Sequence, residues 1–357
     1  MLADAETFPK TLPQGFLPID GEPEFDPARH LQLEMPALVW SLQDLGYSDV
    51  QAAQYASPLA ATSPVRMLSD EGIAALDYVL ELLQPRIIEH GKEGLRRIYF
   101  GTYQSRFLRD LACSPDICAF LSGIYDTPIA PHTMAHLQTQ VNFANRESGS
   151  DVSGWHHDQV GFTVVLTMHD AAKLKGGHFE YYAGPREEGL AIVRAGGTLP
   201  ADKLVVPAHA AKGWASTMQG SAVLHRGQPM LEDGYRCNVI NSYVSRDVAA
   251  PDPDRGYYVT SGDEADIDVI GDHANPSMTE TARHAAWAAR GRLGTIMEDL
   301  PFTEDRAHII KALKGAIADV ELLIKRLETP EIDPETYRRF YNEDDVRQMT
   351  TPRYTVG

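Results

Sequence analysis

The stretch Gly220-Ser221-Ala222-Val223-Leu224-His225-Arg226-Gly227 is a short apolar run that ends on a histidine. Turn-forming residues follow it, and a second strand-like run occupies residues 235–244. The two runs predict neighbouring strands of a hairpin, with His225 closing the first strand and Arg236 opening the second. Residues at the facing ends of paired strands lie close together. We therefore expect His225 and Arg236 to share one end of a β-structured core.

Further strand-like runs upstream predict the rest of this core. Residues 137–143 alternate with a period of two, which places Gln138, Gln140 and Asn142 on one face and apolar side chains on the other. Shorter apolar runs, separated by turn residues, follow at 162–168, 178–182 and 204–206. This succession is typical of an antiparallel jelly roll.

Helical patterns precede the core. An amphipathic run that is capped by Ser69 and stops before Pro85 predicts one helix. Residues 107–125 predict a second helical stretch with an internal start at Ser114-Pro115. Residues 35–45 also have a helical pattern.

Helical patterns also follow the core. Ser277 and Glu280 have the spacing of a capping box at the start of a helix. We therefore expect an α+β protein in three segments. These are an N-terminal helical extension packed on the core at 1–100, the core itself at 101–250, and an acidic loop with C-terminal helices at 251–357.

The last predicted helix carries a narrow apolar seam with spacings of three and four residues. Such a seam could form a homodimer through the C-terminal helices, or it could pack on the sheet of its own chain. The seam consists of Ile310, Leu313, Ile317, Val320, Ile324 and Leu327.

Metal-binding residue types occur in a specific order along the core. Trp155-His156-His157-Asp158 and the later His225 offer two imidazoles and one carboxylate. Two neutral nitrogens and one anionic oxygen on one face of an octahedron leave three positions open, as in the facial triad of non-haem Fe(II) oxygenases. We assign the metal to His156, Asp158 and His225. A competing pair of similar spacing lies in His178-Phe179-Glu180.

Arg236 follows His225 by eleven residues. A guanidinium makes a planar two-point contact with a carboxylate, and the distal carboxylate of 2-oxoglutarate is a natural partner. The predicted cofactors are therefore Fe(II), the cosubstrate 2-oxoglutarate, and O₂.

Composition limits the classes of partner. The net charge of −18 argues against nucleic acid and anionic membranes, because both need a basic surface. The three cysteines have no zinc spacing and are typical of buried thiols in a reducing compartment. The first 16 residues do not have the pattern of a signal peptide. We expect a cytoplasmic protein that acts on a small molecule.

The motifs together resemble the phytanoyl-CoA dioxygenase-like branch of the Fe(II)/2-oxoglutarate-dependent oxygenases, over about residues 107–246. The Trp-His-x-Asp motif of the family appears at 155–158, and its Asp and Gly seven residues apart appear as Asp170 and Gly177. The distal histidine and the cosubstrate arginine correspond to His225 and Arg236. Where the family has Pro-Gly-Ser-His, this chain has Ala-Gly-Pro-Arg at 183–186, which indicates a divergent member.

The resemblance implies a double-stranded β-helix, the jelly-roll or cupin-like fold, around the metal. Strand alternation would place Arg236 and Asn238 on one face, where both could bind the cosubstrate. Gln140 would point into the barrel near the carboxylate of 2-oxoglutarate that is closest to iron. Further residues that could line the substrate pocket are Gln138, Trp155 and Tyr181.

The predicted reaction is hydroxylation of an unactivated C–H bond in a small molecule, such as an amino acid or a natural product, with release of succinate and CO₂. Asp158 stands where related halogenases have Gly or Ala, which favours hydroxylation over halogenation. Desaturation, ring closure and epimerisation remain open. The alternatives are a cupin-like metal-dependent isomerase or small-molecule binder that does not use 2-oxoglutarate, and a protein-interaction module built on the helices.

Overall fold

The fold combines helices with two antiparallel sheets, in agreement with the predicted α+β class. The structure is a computed structural model and describes residues 8–90, 95–144, 149, 151–207, 211–251 and 277–328. The strands are β1 (Val39–Ser41), β2 (Leu59–Thr62), β3 (Val65–Arg66), β4 (Ile88–His90), β5 (Leu95–Ile98), β6 (Ile129–Pro131), β7 (Thr139–Phe143), β8 (Asp151–His156), β9 (Phe162–Thr167), β10 (Phe179–Tyr182), β11 (Leu204–Val205), β12 (Trp214–Met218), β13 (His225–Pro229) and β14 (Cys237–Ser245).

Ten of these strands form a large sheet and four form a small one. The large sheet has the order β1-β2-β12-β9-β14-β7-β5-β4, with β3 paired to β12 and β6 paired to β14. The small sheet has the order β11-β10-β13-β8. Consecutive strands of the chain therefore alternate repeatedly between the two sheets.

Strand alternation gives the large sheet two different faces. Val164, Leu166 and Val239 point to one side and pack in the main hydrophobic core with the N-terminal helices. Val165 and Met218 point to the other side and pack with Phe179 and Tyr181 of β10. The small sheet thus faces the second side of the large sheet, and the space between the two sheets holds the residues discussed below.

Helices surround the sheets, and two of the helix starts predicted from capping residues and proline are present in the structure. Ser69 accepts a hydrogen bond from the backbone N–H of Gly72 and caps α3, as predicted. The predicted restart at Ser114-Pro115 is also confirmed, since one helix ends at Ala112 and the next begins at Pro115. The helices are α1 (Pro27–His30), α2 (Asp49–Ala52), α3 (Asp70–Leu82), α4 (Gly101–Gln104), α5 (Arg106–Ala112), α6 (Pro115–Tyr125), α7 (Ala135–Gln138), α8 (Arg186–Arg194), α9 (Ser277–Asp299) and α10 (Arg306–Glu328).

The N-terminal segment differs from the expected helical extension. Besides α1, α2 and α3, it contributes β1 to β5 to the large sheet. Within the segment expected to be helical at 35–45, Val39–Ser41 form β1 and pair with β2. Pairing partners outside the segment override its weak local helical pattern. The division of the chain at residues 100 and 250 stays a prediction.

The predicted hairpin is also corrected. Residues 220–222 form a turn, residues 223 and 224 lie outside any strand, and His225 begins β13 instead of ending a strand. β13 pairs with β8 and β10, whereas β14 pairs with β6, β7 and β9. His225 and Arg236 therefore belong to facing sheets.

The C-terminal helices are anchored by buried polar contacts. Glu280 accepts hydrogen bonds from Tyr103 Oη at 2.7 Å and from the backbone N–H of Ala135 at 2.9 Å. The capping box predicted for Ser277 and Glu280 involves a side chain at 277 that lies outside the described part of the chain. Arg292 of α9 forms an ion pair with the buried Asp319 of α10. Among the helices that the structure describes, none combines the length and the apolar character needed to cross a bilayer.

Candidate metal centre

Strand pairing brings the three predicted metal ligands together. His156 is the last residue of β8 and lies opposite His225, the first residue of β13, with ring centroids 4.3 Å apart. Asp158 follows two residues later, and its Oδ1 lies 3.8 Å from His156 Nε2 and 3.6 Å from His225 Nε2. One donor atom from each residue falls within 4.8 Å of the other two. Within the described ranges, this is the one group of at least three such residues found close enough to share a metal ion.

The backbone selects the tautomer of both imidazoles. His225 Nδ1 lies 2.9 Å from the carbonyl oxygen of Val223, and His156 Nδ1 lies 2.6 Å from that of Gly154. Because a carbonyl oxygen only accepts, each Nδ1 carries the hydrogen, and each Nε2 keeps a free lone pair. Metal-binding histidines commonly have this arrangement, in which the outer ring nitrogen donates to a carbonyl. The two Nε2 atoms and Asp158 Oδ1 therefore fit a divalent metal ion.

The carboxylate of Asp158 is held by groups that leave one oxygen available. Its backbone N–H donates to the carbonyl oxygen of Gly220 at 3.0 Å, and Thr163 Oγ1 donates to Oδ2 at 2.5 Å. A Cβ atom at Gly220 would lie 2.4 Å from Thr163 Oγ1 and 2.5 Å from Asp158 Oδ2. Only glycine permits this close approach, so Gly220 helps to aim Oδ1 at the histidines.

The protonation states suit metal binding. Burial, and then the neighbouring His225, lowers the pKa of His156 to about 4. Burial raises the pKa of the Asp158 carboxyl, but the two imidazoles and the Thr163 hydroxyl outweigh burial, and the net pKa is lowered. At neutral pH the site therefore offers a neutral His156 and an ionised carboxylate.

Arg236 is a buried cation with an unused donor. It precedes β14 and is 4% exposed. Its Nε donates to the carbonyl oxygen of Gly177 at 2.6 Å, and its Nη2 donates at 3.0 Å to the side-chain oxygen of Asn238 when that amide is oriented toward it. Nη1 is buried and finds no hydrogen-bond partner among the residues that the structure describes. Burial lowers the pKa of Arg236 to about 10, so the side chain remains charged at neutral pH.

The guanidinium of Arg236 lies on the same side of the small sheet as the triad. A Cβ atom at Gly227 would lie 3.3 Å from Arg236 Nη2. Gly227 follows His225 by two residues on β13, so the two residues share a face and lie about 6.6 Å apart along the strand. The guanidinium of Arg236 and the metal-binding residues therefore lie on the same side of β13.

Polar side chains of the large sheet face this region. Asn142 of β7 lies opposite Asn238 of β14, and Gln140 lies opposite Ile240 on the same face. Gln140 Nε2 donates to Asn142 Oδ1. Gln140 and Asn238 therefore lie on the face that was expected from strand alternation.

The three residues predicted to line the substrate pocket, Gln138, Trp155 and Tyr181, do not all lie near the metal-binding residues. Tyr181 is buried in the layer between the sheets and pairs with His225 across β10 and β13, which places it on the side of the triad. Gln138 instead ends α7, and its Nε2 donates to the carbonyl oxygen of His132 at 2.7 Å. The strand begins at Thr139, two residues later than the alternation at 137–143 suggested, so Gln138 holds a turn and does not share the direction of Gln140.

Trp155 also differs from its predicted position in the substrate pocket. It packs with the hydrophobic cluster that contains Tyr182 and Leu224, and the guanidinium of Arg226 lies 4.7 Å from its ring centroid. Neighbouring residues of a strand point to opposite faces. Trp155 therefore lies on the outer face of the small sheet, away from the wall expected for it.

The competing pair also lies on that outer side. Glu180 forms an ion pair with Arg226 at 2.6 Å and accepts from Gln228 at 3.0 Å. These contacts give the Glu180 carboxylate a structural role. Among the described residues, His178 and Glu180 do not belong to the group that could hold a metal ion.

Several contributing residues carry no recognisable sequence signal. Thr163 and Gly220 orient Asp158, and Arg97 of β5 faces the site from the large sheet through its pairing with Asn142. A strand threonine, a loop glycine and a strand arginine are ordinary in sequence. Their roles depend on which strands become neighbours.

Comparisons with known proteins give structural similarity but no sequence match. No protein-family model matches the chain, and no curated protein sequence matches it. AviO1 from Streptomyces viridochromogenes superimposes at a TM-score of 0.40 with 19% identity, covering 60% of this chain and 98% of AviO1. The non-heme alpha ketoglutarate dependent epimerase SnoN from nogalamycin biosynthesis gives a TM-score of 0.37 with 14% identity, covering 49% of this chain and 74% of SnoN.

HygX from Streptomyces hygroscopicus, solved with nickel, 2-oxoglutarate and hygromycin B bound, gives a TM-score of 0.37 with 14% identity and covers 49% of this chain and 79% of HygX. Because the identities and scores are low, we infer function from the residues of this chain.

Proposed function

We propose that this chain is an Fe(II)/2-oxoglutarate-dependent oxygenase that hydroxylates a C–H bond of a small molecule. One observation carries the proposal. A two-histidine, one-carboxylate donor set lies on the same face of the small sheet as a buried guanidinium with an unused Nη1. A metal site alone would suit many proteins, but an unsatisfied buried cation beside it needs an anion.

Each residue has a physical role in this proposal. His156, Asp158 and His225 would hold the metal, and the carbonyls of Gly154 and Val223 keep both imidazoles in the correct tautomer. When bound, iron with 2-oxoglutarate and O₂ supplies the oxidising power for C–H hydroxylation, with release of succinate and CO₂.

The cosubstrate would be positioned by residues of both sheets and of the segments beside them. Arg236 binds its distal carboxylate through Nη1, and Gly177 and Asn238 fix the guanidinium in place. Gln140 lies on the face toward the metal and provides an amide for the carboxylate nearer iron. Tyr181 excludes water from the layer between the sheets.

The architecture supports the same proposal. From β7 to β14 the chain passes repeatedly between two antiparallel sheets that face each other. This topology is typical of a double-stranded β-helix, the jelly-roll fold of this oxygenase class. The motifs at 155–158, 225 and 236 support a divergent member of the phytanoyl-CoA dioxygenase-like branch. We do not transfer an acyl-CoA substrate to it.

Asp158 supports oxidation over halogenation. Its Oδ1 lies 3.8 Å from His156 Nε2 and 3.6 Å from His225 Nε2, so as a metal ligand it would take the coordination position that a halide would need. Its negative charge also opposes a second anion at the metal. We expect turnover in chloride-rich buffer to give an oxidised product without chlorine, as judged by mass spectrometry.

The decisive experiment measures 2-oxoglutarate binding by anaerobic Fe(II)-loaded protein. Arg236→Ala removes a charge-assisted pair in a desolvated pocket, a loss of about 2–5 kcal/mol that corresponds to roughly thirty- to several-thousand-fold weaker binding. Arg236→Lys should restore binding only in part, because an ammonium lacks the planar two-point contact. Arg194→Ala, which removes an exposed charge on α8, is the matched control.

Unchanged cosubstrate affinity in Arg236→Ala would contradict the proposal. Product formation without consumption of 2-oxoglutarate would instead favour the cupin-like isomerase or binding protein.

A further inference from the structure

A second guanidinium faces the candidate site. Arg97 of β5 lies opposite Asn142 of β7, and Asn142 lies opposite Asn238 of β14. Directly paired residues of antiparallel strands share a face of the sheet. Arg97, Asn142 and Asn238 therefore form a polar row across three strands, on the face that looks toward the small sheet.

Arg97 lies near a second cation, the guanidinium of Arg236. Its charge contributes to lowering the pKa of both His156 and Arg236, so its guanidinium lies within electrostatic range of the metal ligands and of the cosubstrate arginine. Its described side-chain contact is with the ring of Tyr99, 6.0 Å from the guanidinium carbon. Across the ranges that the structure covers, Arg97 takes part in none of the ion pairs found, and it is half-buried.

Two positive charges on one side of a partly desolvated pocket repel each other unless anions lie near them. In the proposed function, one carboxylate of 2-oxoglutarate is bound by Arg236 and the other is expected at the metal. Arg97 would then remain without a counter-charge. We propose that Arg97 binds an anionic group of the substrate, a carboxylate or a phosphate, and so selects acidic small molecules.

This proposal rests on the proposed function and is tested with simple anions. The probes are acetate, benzoate and inorganic phosphate, with acetamide and benzamide as neutral counterparts. Each is titrated by calorimetry into Ni(II)-loaded protein saturated with 2-oxoglutarate, so that no turnover occurs. The variants are Arg97→Gln, Arg97→Lys and the control Arg96→Gln. Arg96 lies on the opposite face of the same strand, where its guanidinium carbon is 5.9 Å from the ring centroid of Phe143.

We expect at least one anion to bind the wild-type protein and its neutral counterpart to bind far more weakly. Arg97→Gln should weaken anion binding about tenfold or more, as expected for the loss of a hydrogen bond to a charged group. Arg97→Lys should restore part of the affinity, and Arg96→Gln should change little. The proposal is overturned if no anion binds, if amides bind as well as acids, or if Arg97→Gln binds anions normally.

Titration of the same variants with 2-oxoglutarate separates this proposal from the previous one. Arg97→Gln should keep nearly the wild-type affinity for 2-oxoglutarate. A loss as large as that of Arg236→Ala would place Arg97 in the cosubstrate site and overturn the substrate role. If the wild-type protein does not bind 2-oxoglutarate at all, the proposed function fails, and anion titration without it still decides the role of Arg97.

A separate observation concerns α10. Its inner face packs on α9 through Ala316, Asp319 and Leu323, which are buried. The apolar seam predicted from sequence lies on its outer face. Ile310, Leu313, Ile317, Ile324 and Leu327 are between 37% and 52% exposed. A stripe of large apolar side chains along a helix of 23 residues, about 34 Å long, is an unusual surface for a monomer.

The charges beside the seam indicate what covers it. Lys314 and Glu321 are both exposed and flank the seam on the same side, seven residues apart. In an antiparallel pair of α10 helices centred between Ile317 and Val320, Lys314 of each copy faces Glu321 of the other. In a parallel pair the residue that would face Glu321 is Ala316, which carries no charge. We infer that α10 forms an antiparallel homodimer with a second copy of this chain.

Light scattering during size-exclusion chromatography of the full-length protein tests this inference. We expect a dimer for the wild type and a monomer for Ile317→Lys. Glu321→Lys should also weaken the dimer, because it places lysine opposite lysine, and the double exchange Lys314→Glu with Glu321→Lys should restore it. Lys311→Glu, which lies outside the flanking positions, is the control.

Circular dichroism shows whether each variant keeps its helices. A monomeric wild-type protein, including one in which residues 329–357 of the same chain cover the seam, would overturn the inference. A dimer that persists in folded Ile317→Lys would overturn it as well.

Discussion

At the scale of single residues, the candidate site depends on groups that orient the three ligands. The carbonyls of Gly154 and Val223 set the tautomers of His156 and His225, and Thr163 takes one oxygen of Asp158. Each of these contacts leaves one donor atom free and aims it at the same point. Preorganisation of this kind is what separates a metal site from a chance cluster of histidines.

Removing a ligand should abolish tight metal binding. We expect His225→Ala to lose more affinity for Fe(II) than the roughly 10–100-fold typical of losing an outer hydrogen-bond partner, because a three-ligand site has no spare donor. Metal analysis after dialysis measures the effect. His178→Ala should retain its metal, and full occupancy of His225→Ala would refute the assignment.

Changes behind Asp158 should weaken the metal without removing a ligand. Thr163→Val keeps the side-chain shape but deletes the hydrogen bond to Oδ2, and Gly220→Ala introduces a Cβ 2.5 Å from that oxygen. We expect both to lower metal affinity by about 10–100-fold while the fold persists.

Thr217→Val is the matched control for these variants. Thr217 is buried on the other face of the large sheet, where it contacts Thr62 and Tyr125 at 3.0 Å each. Its loss should reduce the free energy of unfolding and leave metal affinity unchanged. Equal metal affinity in Thr163→Val and wild type would show that Thr163 does not position Asp158.

At the scale of elements, β13 and α9 connect distant parts of the chain. β13 lies between β8 and β10 and places His225 beside His156 and Tyr181. α9 is attached to the segment before β7 through Glu280, a buried carboxylate that accepts from Tyr103 and from the backbone of Ala135. One side chain thereby couples the C-terminal helices to the sheet that carries the polar row.

Glu280→Gln should destabilise this attachment. The amide keeps the shape but loses the charge that strengthens two buried hydrogen bonds, and we expect a loss of about 1–3 kcal/mol in the free energy of unfolding. Urea denaturation followed by circular dichroism measures it. Glu298→Gln, at an exposed position of the same helix, should change the unfolding free energy by less than about 0.5 kcal/mol. An equal effect of the two changes would show that the Glu280 contacts do not anchor α9.

At the scale of the whole molecule, burial of neutral histidines links folding to pH. His136 is 5% exposed, it packs against the ring of Phe100, and burial followed by the charge of His132 lowers its pKa to about 3. In the unfolded chain its pKa returns to about 6.5. The unfolded state therefore binds more protons between these two values, and stability is lost as the pH falls below about 6.5.

We expect His136 to contribute a slope of up to about 1.4 kcal/mol per pH unit to the unfolding free energy of metal-free protein between about pH 6 and 4. Urea titrations at several pH values give the total slope. His136→Gln should reduce it, whereas His308→Gln, at an exposed position of α10, should not. An unchanged slope in His136→Gln would contradict the role of burial.

Residue types and local patterns predicted the candidate site and most of the local elements. The residue types at 156, 158, 225 and 236 predicted a metal donor set with a carboxylate clamp, and the structure places all four on the same side of the small sheet. Ser69 and Ser114-Pro115 marked helix starts correctly. Caps, turns and strand alternation are set by residues within a few positions of each other, so they can be recognised locally.

Which strands become neighbours, and what each buried polar group contacts, depends on the packing of the whole chain. It put β13 and β14 in facing sheets instead of a hairpin, and it turned Trp155 to the outer face. It also paired Glu280 with Tyr103, which is 177 residues away in sequence. Such partners are chosen by the packing of the two sheets and the helices as a whole. No local pattern records that choice, because the energy of a buried contact depends on residues that meet only after folding.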